Sequence, residues 1–545
     1  MKKVFLGLAW IFSLQVAGQG KYLVYFKDKS DNPFSINKPE EFLSQKSIDR
    51  RLKQNITIKE YDLPVSPKYI DSLKKYDLTV WYTSRWFNAA YVESNKNLIS
   101  LLQNKPFVKE VTLLKPNLKD NKTSEDVKFT KKLKIIRLKF DNTDYGNSLN
   151  QASQLCVDEM HRQGFKGEGM NVAIFDGGFT KANEVFFLDS LFAQDRVKDT
   201  YDFVLKNNYV YSYSSHGTNV LSCMAGYAKG SLIGTAYKAN YFLYRTEDGD
   251  TEYPVEEANW LIAAERCDSI GVDLINSSLG YTSFDDTSMS YKYKQRNGKI
   301  PISSRAATFA ARVGMLCVVS AGNSGRSSED PYISAPGDAD SVITVGAIDS
   351  DKRIASFSSI GFTVDGRVKP NLVAKGVNAT VGNPNNTIGT SNGTSFSSPI
   401  LCGMAAGLWQ SLPNYTNMQI IDLLHKSADN YNNPNESYGY GLPCFVKAQL
   451  LSVGRDQAAL NDAYIYPNPF FTDNLTLVVN ENDLGKEMWV EVYDTNAKLI
   501  HKQKIAKVYA NNPLDLKSKA LLPGLYFVKV STLDYSTVIK VVKNQ

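Results

Sequence analysis

Histidine is the scarcest reactive residue in this 545-residue chain, with four copies: His161, His216, His425 and His501. So few exclude a histidine cluster, and no HExxH segment is present to make the zinc-peptidase arrangement of two histidines one helical turn apart. Cysteine is also sparse. The six, Cys156, Cys223, Cys267, Cys317, Cys402 and Cys444, contain no CxxC pair, so neither a zinc ribbon nor a redox dithiol is encoded. Their pairing is not fixed by spacing, and Cys223, Cys317 and Cys402 lie in apolar surroundings that equally suit buried thiols. Beyond the first twenty residues no stretch reaches the ~18 apolar residues of a membrane-spanning helix. A charge excess is missing too: 62 basic against 56 acidic side chains leave +6, too balanced at this length to mark a nucleic-acid-binding protein.

What is present suits a soluble protein with sizeable cores, 43% hydrophobic and 22% charged. At roughly 150 residues per domain the length accommodates three or four units. Lys2 and Lys3, the apolar run Val4 to Leu14 and the small residues Val16-Ala17-Gly18 form a secretory signal over 1–18, with cleavage expected to leave Gln19 first. Export permits disulfides.

Residues 19–116 read as a small α+β unit. A strand at 21 to 27, a helix near Tyr69 to Tyr76, strands around Val80 and Ala89 to Val92, a helix carrying Leu98, Leu101 and Leu102, and a strand from Val108 to Leu114 give the β-α-β-β-α-β order of a ferredoxin-like fold. Residues 117–144 turn polar and lysine-rich and read as an exposed linker, where proteolytic nicking concentrates. Between 145 and 453, short two-sided apolar strands (Val172 to Phe175, Tyr241 to Tyr244, Val272 to Ile275, Met315 to Val319, Val342 to Val345) are separated by helical patterns at 219 to 227, 255 to 267 and 302 to 313. A further helical pattern follows at 396 to 410. That alternation predicts an α/β domain, a mostly parallel sheet with helices on both faces, whose ligands sit at the carboxyl ends of the strands. After a short linker, 454–462, residues 463–545 carry alternating strands between turn signals and predict a small all-β sandwich.

Three polar residues fall where such a sheet does chemistry. Asp176 ends the strand Val172 to Phe175 and is followed by Gly177-Gly178, which allow a tight turn over the sheet edge. His216 opens a helix within Ser214-Ser-His-Gly-Thr-Asn219. Ser395 lies in Gly393-Thr-Ser-Phe-Ser-Ser-Pro399 at another helix start, where Pro399 is tolerated in the first turn and free N–H groups and the dipole favour a developing anion. Each alone also suits a turn or cap.

Taken together, Val172-Ala-Ile-Phe-Asp-Gly-Gly178, His216-Gly-Thr218, Asn276-Ser-Ser-Leu-Gly280, Ser320-Ala-Gly-Asn-Ser-Gly325 and Gly393 to Pro399 resemble the subtilisin-like serine proteases, in that family's Asp, His, Ser chain order. The resemblance implies a secreted serine endopeptidase with Ser395 as nucleophile, His216 as base and Asp176 orienting it. It makes Asn323 an oxyanion-hole amide and Ser278, Leu279 and Gly280 the segment that pairs with extended protein or peptide substrate. No cofactor is required for that chemistry. The family often binds structural calcium, to which Asp285-Asp286 could contribute, although a lone acidic pair equally suits a solvated surface. Asn219-Val220-Leu221-Ser222 replaces a second histidine and Val-Ala-Gly found in many members, and Phe396 replaces a frequent methionine.

The flanks extend the likeness. An N-terminal ferredoxin-like unit implies an inhibitory pro-domain that also assists folding, cleaved off in the linker. Ala463-Tyr-Ile-Tyr-Pro-Asn-Pro-Phe470 and Leu522 to Val530 resemble the C-terminal sorting domain of Bacteroidetes type IX secretion cargo, implying that machinery as a partner and passage across the outer membrane to the medium or cell surface. The alternative from another class is a catalytically silent surface-binding protein on a subtilase scaffold.

Overall fold

The computed structural model describes residues 19–116, 142–452 and most of 463–543. The expected signal segment and most of the 117–144 and 454–462 linkers lie outside the described residues.

In the N-terminal unit, alternation builds a sheet with two apolar faces. The strands Gln19–Phe26, Thr79–Ser84, Ala89–Asn95 and Val108–Lys115 form an antiparallel sheet, with Gln19–Phe26 and Ala89–Asn95 in the centre. Tyr22, Val24, Phe26, Ala90 and Val92 face the helices Pro67–Leu73 and Lys96–Leu102. Leu23, Tyr25, Ala89 and Tyr91 point the other way, into a core shared with the central unit. One element departs from expectation: the polar stretch after the first strand contains a helix, Gln45–Lys53, whose buried residues are Ser47, Arg50 and Arg51.

The central sheet has seven parallel strands, ordered Leu372–Lys375, Ile343–Ile348, Leu316–Ser320, Leu274–Ser277, Asn171–Asp176, Asn240–Arg245 and Val197–Asp202. Strand alternation again sorts the core: Val172 and Ile174 pack with the helices His216–Ala225 and Thr394–Ser411, while Ala173 and Phe175 pack with Val255–Ile270 and Ile302–Arg312. The helix Val255–Ile270 is buried on nearly every side because the N-terminal sheet covers the face that would otherwise be wet. The chain order reverses at Asn171–Asp176: its two neighbours, Asn240–Arg245 and Leu274–Ser277, both follow it in sequence and lie on opposite sides of it. That is the switch point where open parallel sheets bind ligands.

A disulfide joins Cys156 to Cys444, tying residues 288 apart, while Cys223, Cys267, Cys317 and Cys402 are buried thiols. The C-terminal unit closes a core of its own between a three-stranded and a four-stranded antiparallel sheet, with Ile465, Leu475 and Leu477 facing Val490, Val528 and Val541.

Charge as well as apolar area joins the N-terminal unit to the central one. The Asp268 carboxylate, on the helix Val255–Ile270 and fully buried, receives Arg50, Arg51 and Arg85 of the N-terminal unit. Arg51 donates to both oxygens at 2.7 Å and also to Asp62 at 3.0 Å. Burial works against the Asp268 charge, but Arg51, Arg85 and Arg50 outweigh it and hold the carboxyl well below the usual range. One turn earlier, Glu265 accepts the Arg85 and Trp86 N–H groups at 2.9 and 3.2 Å and the Ser84 hydroxyl.

Candidate active site

The switch-point strand delivers Asp176 to the sheet edge, 1% exposed. Its Oδ1 accepts the N–H of Gly177 at 2.8 Å. His216 is the first residue of the helix His216–Ala225, and its Nδ1 lies 2.9 Å from Asp176 Oδ2 and 3.1 Å from Oδ1. Gly217 permits this approach, since a Cβ there would lie 2.2 Å from the Gly178 carbonyl oxygen and 3.0 Å from Asp176 Cβ. With a buried carboxylate as its partner, Nδ1 carries the proton and donates it to Asp176, which leaves Nε2 as the basic nitrogen. Burial disfavours the imidazolium, but the charge and hydrogen bond of Asp176 prevail and raise the His216 pKa above its ordinary 6.5.

Ser395 is the second residue of the helix Thr394–Ser411, half-buried at its amino end, and the residue preceding the helix is Gly393. Its N–H is therefore among the donors that a helix cannot satisfy internally. The Ser395 hydroxyl donates to the Ser278 carbonyl at 3.3 Å, and the Ser278 hydroxyl returns a bond to the Ser395 carbonyl at 2.8 Å. This clasp fixes the helix start to the end of the strand Leu274–Ser277. Phe396 places its ring 5.8 Å from that of His216. No hydrogen bond joins Ser395 to His216 here among the described residues. A turn of the Ser395 side chain away from Ser278 is needed to make one, and such bonds commonly tighten only with substrate in place.

Asn323 sits in an exposed loop after the strand Leu316–Ser320, and its Oδ1 accepts from the Thr394 N–H at 2.9 Å and the Thr394 hydroxyl at 3.0 Å. A backbone N–H can only donate, so the atom facing it is oxygen and the Nδ2 hydrogens are turned the other way. Ser278, Leu279 and Gly280 continue past a strand end and line, with Asp176 and His216, a cleft of about 540 Å³. Ser320 donates to the Leu279 carbonyl at 3.2 Å, which ties the segment to the end of the strand Leu316–Ser320.

The other three histidines lie elsewhere. His161 is buried between Tyr145, 2.7 Å from Nδ1, and the Thr235 carbonyl, 3.1 Å from Nε2, and burial lowers its pKa to about 4. His425 stacks on Tyr440, and burial likewise lowers its pKa to about 4. His501 belongs to the C-terminal sheet.

Asn219 ties its helix to a hairpin by donating to the Gly382 carbonyl at 2.7 Å. Asp285 and Asp286 serve different neighbours: Asp285 accepts the Glu252 N–H at 3.2 Å, and Asp286 accepts the Ser288 N–H at 3.0 Å. Among the described residues no group of three or more His, Cys, Asp or Glu side chains is placed to hold a metal ion. Sequence reasoning missed Thr394, which aims Asn323, and a wall of carboxylates along the cleft that includes Glu247, Asp248 and Glu256. The run Glu247-Asp248-Gly249-Asp250 was the available signal for the wall.

A seven-stranded parallel α/β sheet, with a serine at a helix start and an Asp–His pair at the switch point, is the architecture of a subtilisin-like serine peptidase. The subtilase family profile matches residues 167–441, the propeptide domain of Bacteroidota S8 peptidases matches 21–130, and the secretion system C-terminal sorting domain matches 464–544. Subtilisin NAT of Bacillus subtilis subsp. natto is 30% identical over 295 residues, which cover 53% of this chain and 68% of that protein. Subtilisin DY of Bacillus licheniformis is 30% identical over 287 residues, 52% of this chain and 93% of that one. Serine protease AprX of Bacillus subtilis is 29% identical over 339 residues, 56% and 72%. The chain belongs to the subtilase family. It is a serine endopeptidase with a propeptide domain, and its sorting domain sends it across the outer membrane to be secreted or held at the cell surface.

Proposed function

We propose that the cleft hydrolyses peptide bonds through an acyl-enzyme on Ser395. An extended substrate lies along Ser278, Leu279 and Gly280 and presents its carbonyl carbon to the Ser395 hydroxyl. As the Oγ–C bond forms, the hydroxyl proton passes to His216 Nε2, and Asp176 stabilises the imidazolium through Nδ1. The carbonyl oxygen becomes an anion held by the Ser395 N–H at the helix start and by Asn323 Nδ2. Collapse of the tetrahedral species breaks the C–N bond, and His216 gives its proton to the leaving amine. Water then repeats the sequence in reverse and frees Ser395.

The observation that carries this reading is the contact of His216 Nδ1 with both oxygens of a buried carboxylate at 2.9 and 3.1 Å, at the switch point and beside the Ser395 helix. A silent binding scaffold has no use for an imidazole held in this way against a buried carboxylate.

The pH profile tests it. The working base is neutral His216, whose pKa Asp176 raises above 6.5, so kcat/KM is lost as pH falls through that raised value and is full above it. In Asp176→Asn the acidic limb moves to lower pH and the plateau drops by about 10⁴-fold. A wild-type limb well below pH 6, or one that ignores the Asp176 change, contradicts the assignment. Asn323→Ala lowers kcat by about 100- to 1000-fold with little change in KM, because the bond it removes exists only in the transition state. A rise in KM at constant kcat speaks for plain substrate binding instead.

We further propose a precursor in which the signal over 1–18 is removed on export, residues 19–116 inhibit the 145–453 domain, the chain is cut within 117–144, and 463–545 engage the type IX machinery. Lys115, in the last strand of the N-terminal unit, donates to Asp248 at 3.2 Å and Thr251 at 2.8 Å, which brings the end of that unit to the cleft.

A further inference from the structure

The wall of the cleft beside His216 is chemically one-sided. Glu247, Asp248, Asp250, Glu252, Glu256 and Asp285 all line it, and among the described residues no lysine or arginine does. Carboxylates alone do not make a site, but two further observations point to what this one receives. Glu256 is 1% exposed; its Oε1 accepts the Asp248 N–H at 2.8 Å, while its Oε2 meets no N–H donor and lies against the Glu252 carboxyl. A buried carboxyl oxygen without an N–H donor is a standing cost that a ligand bearing N–H groups relieves. Burial, with Glu247 and Glu252 adding their repulsion, pushes the Glu256 carboxyl far above its ordinary range. Burial and Asp285 do the same to Glu252. The facing carboxyls therefore keep protons that a cation would displace, and an ammonium or guanidinium entering the wall restores their charge as those protons leave. The second observation is that the chain itself supplies a cation: Lys115 reaches Asp248 at 3.2 Å, with the two side chains only 16% and 25% exposed. Lys115 precedes the 117–144 linker, so its ammonium meets the rim of this wall at Asp248 ahead of the segment where cleavage is expected.

We infer that this wall is a specificity subsite for a lysine or arginine side chain on the amino-terminal side of the scissile bond, with Asp248 as its charged contact and Glu256 and Glu252 behind it, and that Lys115 fills it in the precursor. The inference rests on the proposed role of Ser395. A one-sign cleft also concentrates cationic substrates before contact, so the preference weakens with salt.

The test uses the secreted protein, its active sites titrated with a fluorophosphonate, and fluorogenic peptides that move one lysine through the four positions before the scissile bond, with methionine as the neutral match. At one position lysine is expected to exceed methionine by about tenfold or more in kcat/KM, and the ratio falls toward one in Asp248→Asn and in Glu256→Gln. Asp248 is partly exposed, so its variant guards against a folding defect at Glu256, and the wild-type comparison needs no variant. Equal cleavage of both peptides at every position by an enzyme that labels on Ser395 overturns the subsite and leaves the peptidase standing. A lysine preference that survives both substitutions overturns the assignment to this wall. Absence of both labelling and cleavage overturns the role of Ser395 and the subsite with it.

Discussion

Ser395→Ala is expected to lower kcat/KM toward peptides by about a millionfold, the order of loss measured when the nucleophile is removed from subtilisin, a relative of this protein. The size follows from position. Ser395 Oγ stands at a helix start where the anion formed by attack meets an unsatisfied N–H and the positive end of the dipole, whereas the other hydroxyls nearby are engaged: Ser214 accepts the His216 N–H at 3.2 Å and Thr251 donates to Asp248 at 3.2 Å. The Ser278 hydroxyl is turned to the Ser395 carbonyl at 2.8 Å, and Ser397 is buried with its hydroxyl on the Thr394 carbonyl at 2.9 Å. A residual rate above water remains, because Asn323 and the substrate-pairing segment still orient the peptide and polarise its carbonyl. Loss of less than about a thousandfold, the size expected of a single oxyanion donor, means that Ser395 is a positioning residue and that another group attacks.

The second large effect is expected at the boundary between the propeptide domain and the catalytic domain. Asp268→Asn removes the one anion shared by Arg50, Arg51 and Arg85, all buried. Stranding paired charges in a dry interface costs about 3–5 kcal/mol, so inhibition by the propeptide domain should weaken by roughly 10²- to 10⁴-fold. The concentration of added propeptide domain that halves peptide cleavage measures it. Lys46→Met is the contrast. Lys46 bonds Asp273 across the same interface at 3.0 Å, but with its side chain 42% exposed, and a solvated pair contributes no more than about 1 kcal/mol. Equal effects of the two substitutions would show that apolar contact, not the buried charge, holds the domains together. The sign with pH is also fixed. A carboxyl depressed below 3.8 in the complex contributes its stability above that value and loses it as pH falls through the lower, bound value. On this contact alone the complex holds through pH 4, and only stronger acid releases it.

Legibility in the sequence followed the physics of each element. The five inner strands of the central sheet are buried on both faces and read as continuous apolar runs, and Asp176, His216 and Ser395 stand at the ends of elements that such runs define. The edge strand Val197–Asp202 is half-solvated, with the polar sequence VKDTYD, and gave no such signal. The helix Gln45–Lys53 was hidden for the opposite reason. Its buried face is charged, so hydrophobic periodicity cannot reveal it, and the carboxylate that satisfies Arg51 lies 217 positions away. The pairing of Cys156 with Cys444 and the aiming of Asn323 by Thr394 depend likewise on contacts 288 and 71 residues apart. The acidic wall was visible as composition, but only the approach of Lys115 and the buried Glu256 oxygen that no N–H donor faces give it a meaning.

The most direct measurement of the central claim is fluorophosphonate labelling of the secreted protein followed by mass-spectrometric mapping of the adduct. The expected result is one adduct on Ser395, formed in step with loss of peptidase activity, absent from Ser395→Ala and strongly slowed in His216→Ala. An adduct on another residue, or full peptidase activity in a protein that takes up no label, contradicts it.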